Sequence, residues 1–390
     1  MNDFVMPSDL LQRQARLQSA IRQAGADGCL LSADVNLYYM TGRVFNGYYY
    51  LPSEGSPCCF VRRPKEKPIE NTIFIRKPEE IADSFADAGR AFPEKMLLET
   101  DELSYNECMR LLSVFRHPEA GNATALLRRL REIKTPWEIE RLRISARQHA
   151  VTYAEIASCF RPGMTDLQFQ AEIERRMRLN GSVGVFSVFG SNMNIFMGSV
   201  LTGSNAEAAS PFDFALGGGG QTPLCPIGAN GTPIREGMAV MVDMAGNYTE
   251  YLTDMTRVFA VGRLPELACR AHQLSIDIQD DMMQNARPGT ACADIYNRAL
   301  AMVKAAGLEA YFMGTKQQAK FVGHGIGLQI NEPPVFTPRS DEVLLPGMTF
   351  ALEPKFVIPN VGAVGIENSF LVTETGVEKL TLFEEKIITM

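Results

Sequence analysis

The chain has 390 residues, more than one ordinary core accommodates, and at about 150 residues per domain it predicts two or three domains. Its residues are 46% hydrophobic and 21% charged, as in globular proteins that are soluble in water. The net charge of −7 argues against electrostatic binding to nucleic acid or to an acidic membrane surface, and it favours small molecules as partners.

The N-terminus has neither the basic segment nor the apolar segment of a signal peptide, and no run reaches the ~18 apolar residues of a membrane span. The chain contains 8 cysteines, none with CxxC spacing, which predicts reduced thiols rather than a disulfide framework or a zinc–thiolate site. We therefore expect a cytoplasmic protein with no membrane partner.

The first third of the chain predicts a small α/β domain. A helix is expected over residues 9–24, with Ser8 or Asp9 as its N-cap. The apolar face of this helix is predicted to contain Leu10, Leu11, Leu17 and Ile21. Short apolar runs such as GCLLS and NTIFIRK follow and are typical of strands. Around Asn122 the pattern changes to long helices, which indicates domains 1–125 and 126–390.

The second domain is predicted to open on a long helix. Thr135 is a suitable N-cap, Pro136 suits the first helical position, and Glu138 completes a capping box. His149 lies within this helix, and neither it nor His117 nor His272 has a partner at ligand spacing. We interpret these three histidines as structural.

A weak internal repeat follows. RPGMTDLQFQAEIERRMRLNG (161–181) and RPGTACADIYNRALAMVKAAG (287–307) share the opening RPG, a middle of helix length and a closing glycine. This pattern predicts a catalytic domain of two related halves, unless it reflects only a common turn at helix starts. The glycines at 217–220, between the two copies, lack the context of a phosphate-binding loop, and we expect a mobile loop there.

Two strand pairs carry unusual acids. In GMAVMVDMAGNYTEYLTDMTRVFAVG, a hairpin centred between Tyr248 and Thr249 places Asp243 opposite Asp254. Carboxylates held so close repel each other unless a cation or a proton lies between them, and aspartate is depleted in strands. The pair therefore indicates a functional site.

The second strand pair repeats the arrangement. TFALEPKFVIPNVGAVGIENSFLVT, folded back at Asn360, places Glu353 opposite Glu367 among apolar neighbours, where buried acids require partners. His324, in FVGHGIGLQINEPP, lies among glycines that allow close approach of the backbone. Four carboxylates and one imidazole suit two divalent ions, which in two-metal hydrolases lie ~3.5–4 Å apart.

These residues resemble the M24 superfamily of aminopeptidase P, prolidase and methionine aminopeptidase. The motifs VDMAGNYTEYLTDMTRVF, GHGIGL, LEP and GIEN carry the resemblance, and GCLLSADVNLYYMTG and REIKTPWEIERLR extend it over nearly the whole chain. It implies an α/β (α+β) fold in which a creatinase-like N-terminal domain precedes a pita-bread catalytic domain with a pseudo-two-fold repeat. It also implies a homodimer.

The resemblance implies roles for five residues. Asp243 would chelate one metal ion, and Asp254 and Glu367 would bridge both ions. His324 and Glu353 would complete the second ion's ligands and act in catalysis, with Glu353 as the general base. Two ions of Mn, Co, Zn or Fe would polarise the scissile carbonyl and lower the pKa of a bridging water.

The chain departs from the family's pattern at substrate-contacting positions. Asn331 replaces a histidine, Cys225 or Pro226 stands where another histidine is usual, and Gly365 replaces an arginine common in the proline-specific enzymes. Asparagine donates a hydrogen bond but cannot shuttle a proton. Loss of one donor to a transition state typically costs ~10²–10³ in rate. Metal binding is thus a firmer expectation than peptide cleavage.

Three functions are compatible with this pattern. The leading hypothesis is a dinuclear hydrolase that removes an N-terminal residue from short peptides, as an Xaa-Pro aminopeptidase or dipeptidase does. The alternative is a metal-dependent hydrolase or lyase of a non-peptide small molecule on the same fold. A non-catalytic binding module comes third, because binding alone gives no reason to retain all five ligands. The metal-free creatinase fits poorly, because it lacks this ligand set and its essential upstream histidine has no evident counterpart here.

Overall fold

The structure is a computed structural model that describes residues 5–66, 69–190, 196–212 and 214–390. The chain divides into two compact units, Met1–Arg131 and Glu132–Met390. The domain boundary predicted between residues 125 and 126 lies inside the helix Thr124–Glu132. The helical composition on which that prediction rests begins before the point at which the two units divide. All eight cysteines are free, and no helix in the described ranges is long and apolar enough to cross a membrane.

The first unit is a mixed sheet covered by helices. Its strands are β1 (Gly28–Leu31), β2 (Asn46–Pro52), β3 (Cys58–Arg63), β4 (Thr72–Phe74), β5 (Lys95–Leu98) and β6 (Glu119–Asn122). Its helices are α1 (Pro7–Gln23), α2 (Asp34–Thr41), α3 (Glu80–Asp87), α4 (Tyr105–Val114) and α5 (Thr124–Glu132). The strand order is β4-β3-β2-β1-β5-β6, with β1, β5 and β6 parallel. The α/β prediction for this part of the chain is confirmed.

Helix α1 begins earlier than the sequence suggests. Pro7 occupies the first turn, where its fixed φ and missing N–H are tolerated, and Met6 is an extended N-cap without a side-chain hydrogen bond. The capping prediction for Ser8 or Asp9 is therefore wrong. Leu17 and Ile21 are buried as expected, but Leu11 is 66% exposed, so the apolar stripe is narrower than predicted.

The second unit contains the remaining elements. Its helices are α6 (Pro136–Cys159), α7 (Asp166–Leu179), α8 (Glu266–Asn285) and α9 (Cys292–Ala305). Its strands are β7 (Gly198–Thr202), β8 (Ala239–Gly246), β9 (Thr253–Ala260), β10 (Gly323–Gly325), β11 (Glu332–Val335), β12 (Thr349–Leu352), β13 (Lys355–Ile358), β14 (Gly362–Gly365), β15 (Asn368–Val372), β16 (Val377–Lys379) and β17 (Ile388–Thr389). They form sheets in the orders β17-β9-β8-β7, β11-β10-β12-β15-β16 and β13-β14.

The two halves of this unit share one layout. In each half a long helix, α6 or α8, leads through the RPG turn to a helix of 14 residues, α7 or α9, and then to strands. The glycines of the two turns adopt nearly the same left-handed conformation, with φ +92° at Gly163 and +91° at Gly289. Such a match favours a repeated unit over a coincidental turn.

Two local predictions concern this unit, and a third concerns a histidine of the first unit. The capping box at Thr135 and Glu138 is present at the start of α6, as predicted. His149 is fully buried, with Nδ1 3.2 Å from the Thr253 hydroxyl, and burial lowers its pKa to about 3. His149 therefore helps to anchor strand β9 as a neutral imidazole. His117, in the first unit, is exposed in a turn with φ +60°.

The four-glycine segment is packed rather than loosely held. Gly217 and Gly218 are buried, and the Gly219 amide donates to Asn205 at 2.8 Å. A Cβ at Gly218 would lie 2.6 Å from the carbonyl oxygen of Gly228. The glycines therefore serve close backbone approach, which is as common a use of glycine as mobility, and the expectation of a mobile loop does not describe this segment.

Candidate metal centre

The first acidic hairpin has a register two residues away from the predicted one. Strands β8 and β9 pair Asp243 with Thr256 and Ala245 with Asp254. The predicted opposition of Asp243 and Asp254 is therefore wrong, because the turn centres between Thr249 and Glu250. Since side chains alternate with a period of two, a shift of two residues leaves both carboxylates on the same face of the sheet.

The second acidic pair lies between two strand pairings. Leu352 pairs with Asn368 in β12–β15, and Lys355 pairs with Gly365 in β13–β14. Both pairings have the register of a turn centred at Asn360, which places Glu353 level with Glu367 as predicted. Glu353 is 4% exposed and Glu367 is 1% exposed.

Hydrogen bonds join the two hairpins at the carboxylates. Thr256 and Glu367 exchange backbone hydrogen bonds of 3.3 and 3.2 Å, and the Thr256 hydroxyl donates to Glu367 Oε2 at 2.8 Å. The Ser369 hydroxyl accepts from the Asp254 amide at 2.8 Å and donates to the Asp254 carbonyl at 2.9 Å. One acid from each half of the unit is thereby fixed against the other half.

His324 faces the carboxylates with one ring nitrogen. It lies on β10, between β11 and β12, and its Nδ1 is 3.1 Å from the Gly325 carbonyl. Because a carbonyl only accepts, this contact places a proton on Nδ1 and leaves Nε2 as the nitrogen that can bind a metal ion. Nε2 lies 4.0 Å from Asp254 Oδ2 and 3.7 Å from Glu353 Oε1.

The structure brings the five predicted ligands together in two overlapping groups. Ligand atoms of Asp254, His324 and Glu367 lie within 4.8 Å of one another, and so do those of Asp243, Glu353 and Glu367. Glu367 belongs to both groups, whereas Asp254, the other expected bridging residue, belongs to the first group only, and Glu353 belongs to the second. We refer to these as the histidine group and the acidic group.

The acidic group already surrounds a cation that sequence reasoning missed. The ammonium of Lys355 donates hydrogen bonds of 2.8 Å to Asp243 Oδ2, to Glu353 Oε2 and to Glu367 Oε2. The Lys355 side chain is 1% exposed. The signal was present in the sequence, because Lys355 lies two residues after Glu353, at the spacing that puts strand side chains on one face.

Burial and mutual repulsion set the charge states of the centre. Burial raises the pKa of Asp254 well above its usual range, and the neighbouring Glu367 and Asp243 carboxylates raise it further. Burial likewise raises the pKa of Glu367, whereas Lys355 opposes that rise. Burial alone would lower the pKa of Lys355, but the three carboxylates raise it well above its ordinary value. The centre thus holds a charged ammonium and has a demand for further positive charge.

The histidine group fits a divalent ion. Glu367 Oε1 is buried and has no hydrogen-bond partner among the described residues, although a buried carboxylate oxygen normally has one. Together Glu367, His324 and Asp254 form a set of one imidazole and two carboxylates, which suits Mn, Fe, Co or Zn. Three protein ligands leave coordination positions open, as in catalytic metal sites.

All five predicted ligands line a cavity of about 730 Å³, counted with its mouth. Its other walls are mainly apolar and include Phe186, Val188, Phe214, Leu216, Phe321 and Ile330. Asn331 also lines the cavity, as expected for a residue that contacts substrate. Its side chain, however, binds the backbone of Phe189, accepting from the amide at 2.7 Å and donating to the carbonyl at 2.8 Å. Asn331 thus anchors the wall segment 186–189.

Two residues predicted to contact substrate do not line this cavity. Cys225 closes a tight turn, in which its amide donates to the Thr222 carbonyl at 3.0 Å. Gly365 has φ +132°, and a Cβ there would lie 2.7 Å from the Pro354 carbonyl, so this backbone has no room for a side chain. The Gly365 amide donates to Nδ1 of buried His272 at 3.2 Å, which gives that histidine a structural role.

Comparison with known proteins places this centre in a family. Residues 140–374 match the family model "Metallopeptidase family M24", and residues 13–133 match "Creatinase/Prolidase N-terminal domain". The chain belongs to metallopeptidase family M24. The family confirms the predicted fold, a creatinase-type N-terminal domain followed by the M24 catalytic domain.

Several M24 relatives match along their full length. An Xaa-Pro dipeptidase of Pyrococcus furiosus is 24% identical over 97% of this chain and 99% of its own, and an uncharacterized peptidase of Bacillus subtilis is 25% identical over 96% and 99%. The structure of an Xaa-Pro dipeptidase from Bacillus anthracis superposes with a TM-score of 0.81 at 25% identity, covering 98% of this chain and all of that one. An X-Pro aminopeptidase structure from Thermotoga maritima shares the fold, with a TM-score of 0.79 at 20% identity, over 95% and 100% of the two chains.

Replacement of Gly325 by alanine is expected to destabilise the M24 unit by about 1–3 kcal/mol, because the new Cβ would overlap the Pro333 carbonyl across β10–β11. The matched control is Gly376→Ala, whose nearest neighbour would be an Arg287 atom at 3.7 Å, an ordinary contact. Thermal unfolding of both variants checks this. Equal melting temperatures would contradict the close approach of the strands at His324.

The variant Asn331→Ala is expected to loosen segment 186–189, because it removes two hydrogen bonds worth about 0.5–1.5 kcal/mol each. Hydrogen exchange at the Phe189 amide should accelerate roughly tenfold or more, since 1.4 kcal/mol corresponds to a factor of ten. The control Asn285→Ala removes an asparagine bonded to Asp281 on α8 and should leave that amide unchanged. Unaltered exchange at Phe189 in Asn331→Ala would refute the anchoring role.

Proposed function

We propose that this M24 protein is a metal-dependent hydrolase that removes the N-terminal residue from short peptides, with Xaa-Pro peptides as the first substrates to test. The observation that carries the proposal is the convergence of Asp254, His324, Glu353 and Glu367 with Asp243 in one cavity. Full-length similarity to an Xaa-Pro dipeptidase supports the same assignment. A bound ion would supply Lewis-acid polarisation of the scissile carbonyl and an activated water.

Glu353 is the proposed general base. Its Oε2 accepts from Lys355 at 2.8 Å, and its Oε1 faces His324 Nε2 at 3.7 Å, on the side of the histidine group. A carboxylate with one oxygen held and the other directed to the reacting side is oriented to take a proton from water. His324 is held by its Nδ1 bond, so its Nε2 stays aimed at the same point.

The charge of the centre suits a peptide amino terminus. Its four carboxylates outweigh the single ammonium, and Asp243 is the most open of them to the cavity, with 21% of its side chain exposed. A negative site with apolar walls attracts the cationic α-amino group of a peptide, and the walls can cover an apolar first side chain. The walls at Phe186 and Val188 are held in place through Asn331.

The second candidate is hydrolysis or elimination on a non-peptide small molecule. The specific observation in its favour is the engagement of Asn331 with Phe189, because the position then supports a wall and does not aim its amide at a peptide carbonyl. Gly365, with no room for a side chain, likewise offers no cation to a substrate carboxylate. Turnover of a metabolite library with peptides inert would establish this candidate.

The decisive assay is digestion of a peptide library read by mass spectrometry, with Mn, Co, Zn or Fe added to the protein. We expect loss of single N-terminal residues, and removal of the metal by a chelator should abolish it. Asp254→Asn should lower kcat by more than about 10², because it replaces a charged carboxylate of the histidine group by a neutral amide while keeping the side-chain shape. The absence of turnover across the panel with every metal would reject the proposal.

The matched control for this variant is Asp281→Asn. Asp281 lies on α8 in the same unit and pairs with Arg298 at the surface, away from the centre. Its neutralisation changes the charge of the chain by the same amount and should leave turnover unchanged. An equal loss in both variants would mean that the effect of Asp254→Asn is not local.

We further propose manganese as the first ion to test, a homodimer as the working form and the cytoplasm as its location. The first rests on the oxygen-rich ligand set and the others on the family resemblance and the cysteine pattern. Light scattering on the purified protein decides between monomer and dimer.

A further inference from the structure

We infer that the ammonium of Lys355 takes the place of one metal ion, so that this M24 centre binds a single divalent ion, held by Asp254, His324 and Glu367. The inference concerns the site of the proposed function, but it does not depend on which substrate is cleaved. It replaces the sequence expectation of two ions.

The geometry of the acidic group is the first argument. The Lys355 nitrogen lies 2.8 Å from one oxygen each of Asp243, Glu353 and Glu367, which is the position a metal ion held by this group would need. Metal–carboxylate bonds are ~2.0–2.2 Å long, so an ion bound to the same three oxygens would overlap the ammonium. The two cations exclude each other.

The hydrogen-bond count is the second argument. An ammonium has three donors and no acceptor, and Lys355 directs one at each of three carboxylates. All three donors are therefore engaged, and the side chain is 1% exposed and absent from the cavity lining. These facts fit a cation that neutralises the centre and exclude a nucleophile or a donor to substrate.

The backbone gives Lys355 no alternative direction. Its carbonyl accepts from the Met313 amide at 2.8 Å, and it pairs with Gly365 across β13–β14. The next residue, Phe356, faces the opposite side and packs on Phe312, with ring centroids 5.2 Å apart. Because strand side chains alternate, Lys355 must face the carboxylates, and its other neighbours on that face include buried Val357.

The histidine group remains available. Lys355 donates to Glu367 Oε2, whereas Glu367 Oε1 is buried without a hydrogen-bond partner in the described part of the chain. Neither Asp254 nor His324 is among the groups that Lys355 contacts at 2.8 Å. Oε2 of Glu367 thus accepts a hydrogen bond from the ammonium, and Oε1 is left to bind a metal ion. The Glu367 carboxylate would then bridge the ammonium and the ion.

The test is metal stoichiometry, measured on the stripped full-length protein by titration with Co²⁺ and by elemental analysis after dialysis. We expect one tight equivalent per chain for the unaltered protein, and an uncoupled Mn²⁺ EPR spectrum when Mn²⁺ is the probe. Lys355→Met, which keeps the length and removes the charge, should raise the count to two. Lys355→Arg should keep it at one.

The matched control is Lys134→Met. Lys134 is an equally buried lysine of the same unit, and it pairs with Glu332 at 3.2 Å outside the centre. Its replacement should leave the count at one.

Two equivalents or none in the unaltered protein would overturn the inference, whether or not Lys355→Met folds. So would a folded Lys355→Met that still binds one equivalent. The count is independent of turnover, so a chain that binds one ion but cleaves no peptide would reject the proposed function and retain this inference.

Discussion

The repulsion among four carboxylates in an apolar interior is the constraint on which this catalytic unit depends. Two unit charges 4 Å apart repel by about 4 kcal/mol at an effective dielectric constant of 20. Carboxylate oxygens of Asp243, Glu353 and Glu367 lie within 4.8 Å of one another, and so do those of Asp254 and Glu367. An arrangement of this kind persists only where cations compensate it and the backbone prevents the strands from separating. Both conditions are met by named contacts.

Hydrogen bonds between the two halves of the unit prevent the strands from separating. Fully buried Arg257 donates to the carbonyls of Thr256 and Glu367 at 2.8 and 2.9 Å and to Asn368 at 2.9 Å, so one guanidinium ties β9 to the strand that begins at Asn368. Burial lowers the pKa of Arg257 to about 10, which leaves it charged at neutral pH. The exchange between Thr256 and Glu367 lies beside it. Replacing a partner in such a buried network typically destabilises by several kcal/mol, because the remaining charge is left uncompensated.

Sequence reasoning succeeded where the relevant interactions were local. The capping box at Thr135 and the turn at Asn360 follow from residues within a few positions of one another, and the structure shows both. The predicted register of the hairpin that contains Asp243 differs from the observed register by two residues, because the turn residues are compatible with more than one turn position. Since strand side chains alternate with a period of two, both carboxylates still lie on one face. Strand periodicity therefore predicted the centre better than turn geometry did.

The failures share a different cause. Asn331 and Phe189 are 142 positions apart, and neither residue type indicates the other, so no spacing could show that the asparagine holds a wall. The burial of Gly218 depends on Gly228 and Leu201 in the same way. Lys355 is the exception, because its spacing from Glu353 was sufficient to predict its direction. Lysine is usually exposed, so its residue type does not indicate a place in a buried centre.

A ligand motif and the number of ions that it holds are therefore separate properties of an M24 chain. The five predicted ligand residues define the shape of the centre, but the side chain of Lys355 can bring positive charge to the same oxygens. With Lys355 in place, one divalent ion brings the four carboxylates to a net charge of about −1, whereas a second ion would have to displace the ammonium from a position it cannot leave without losing three hydrogen bonds. A centre that contains a lysine ammonium therefore binds fewer metal ions than a centre with the same ligand residues and no lysine. The chemistry of such a centre is then decided at position 355 as much as at the ligands themselves.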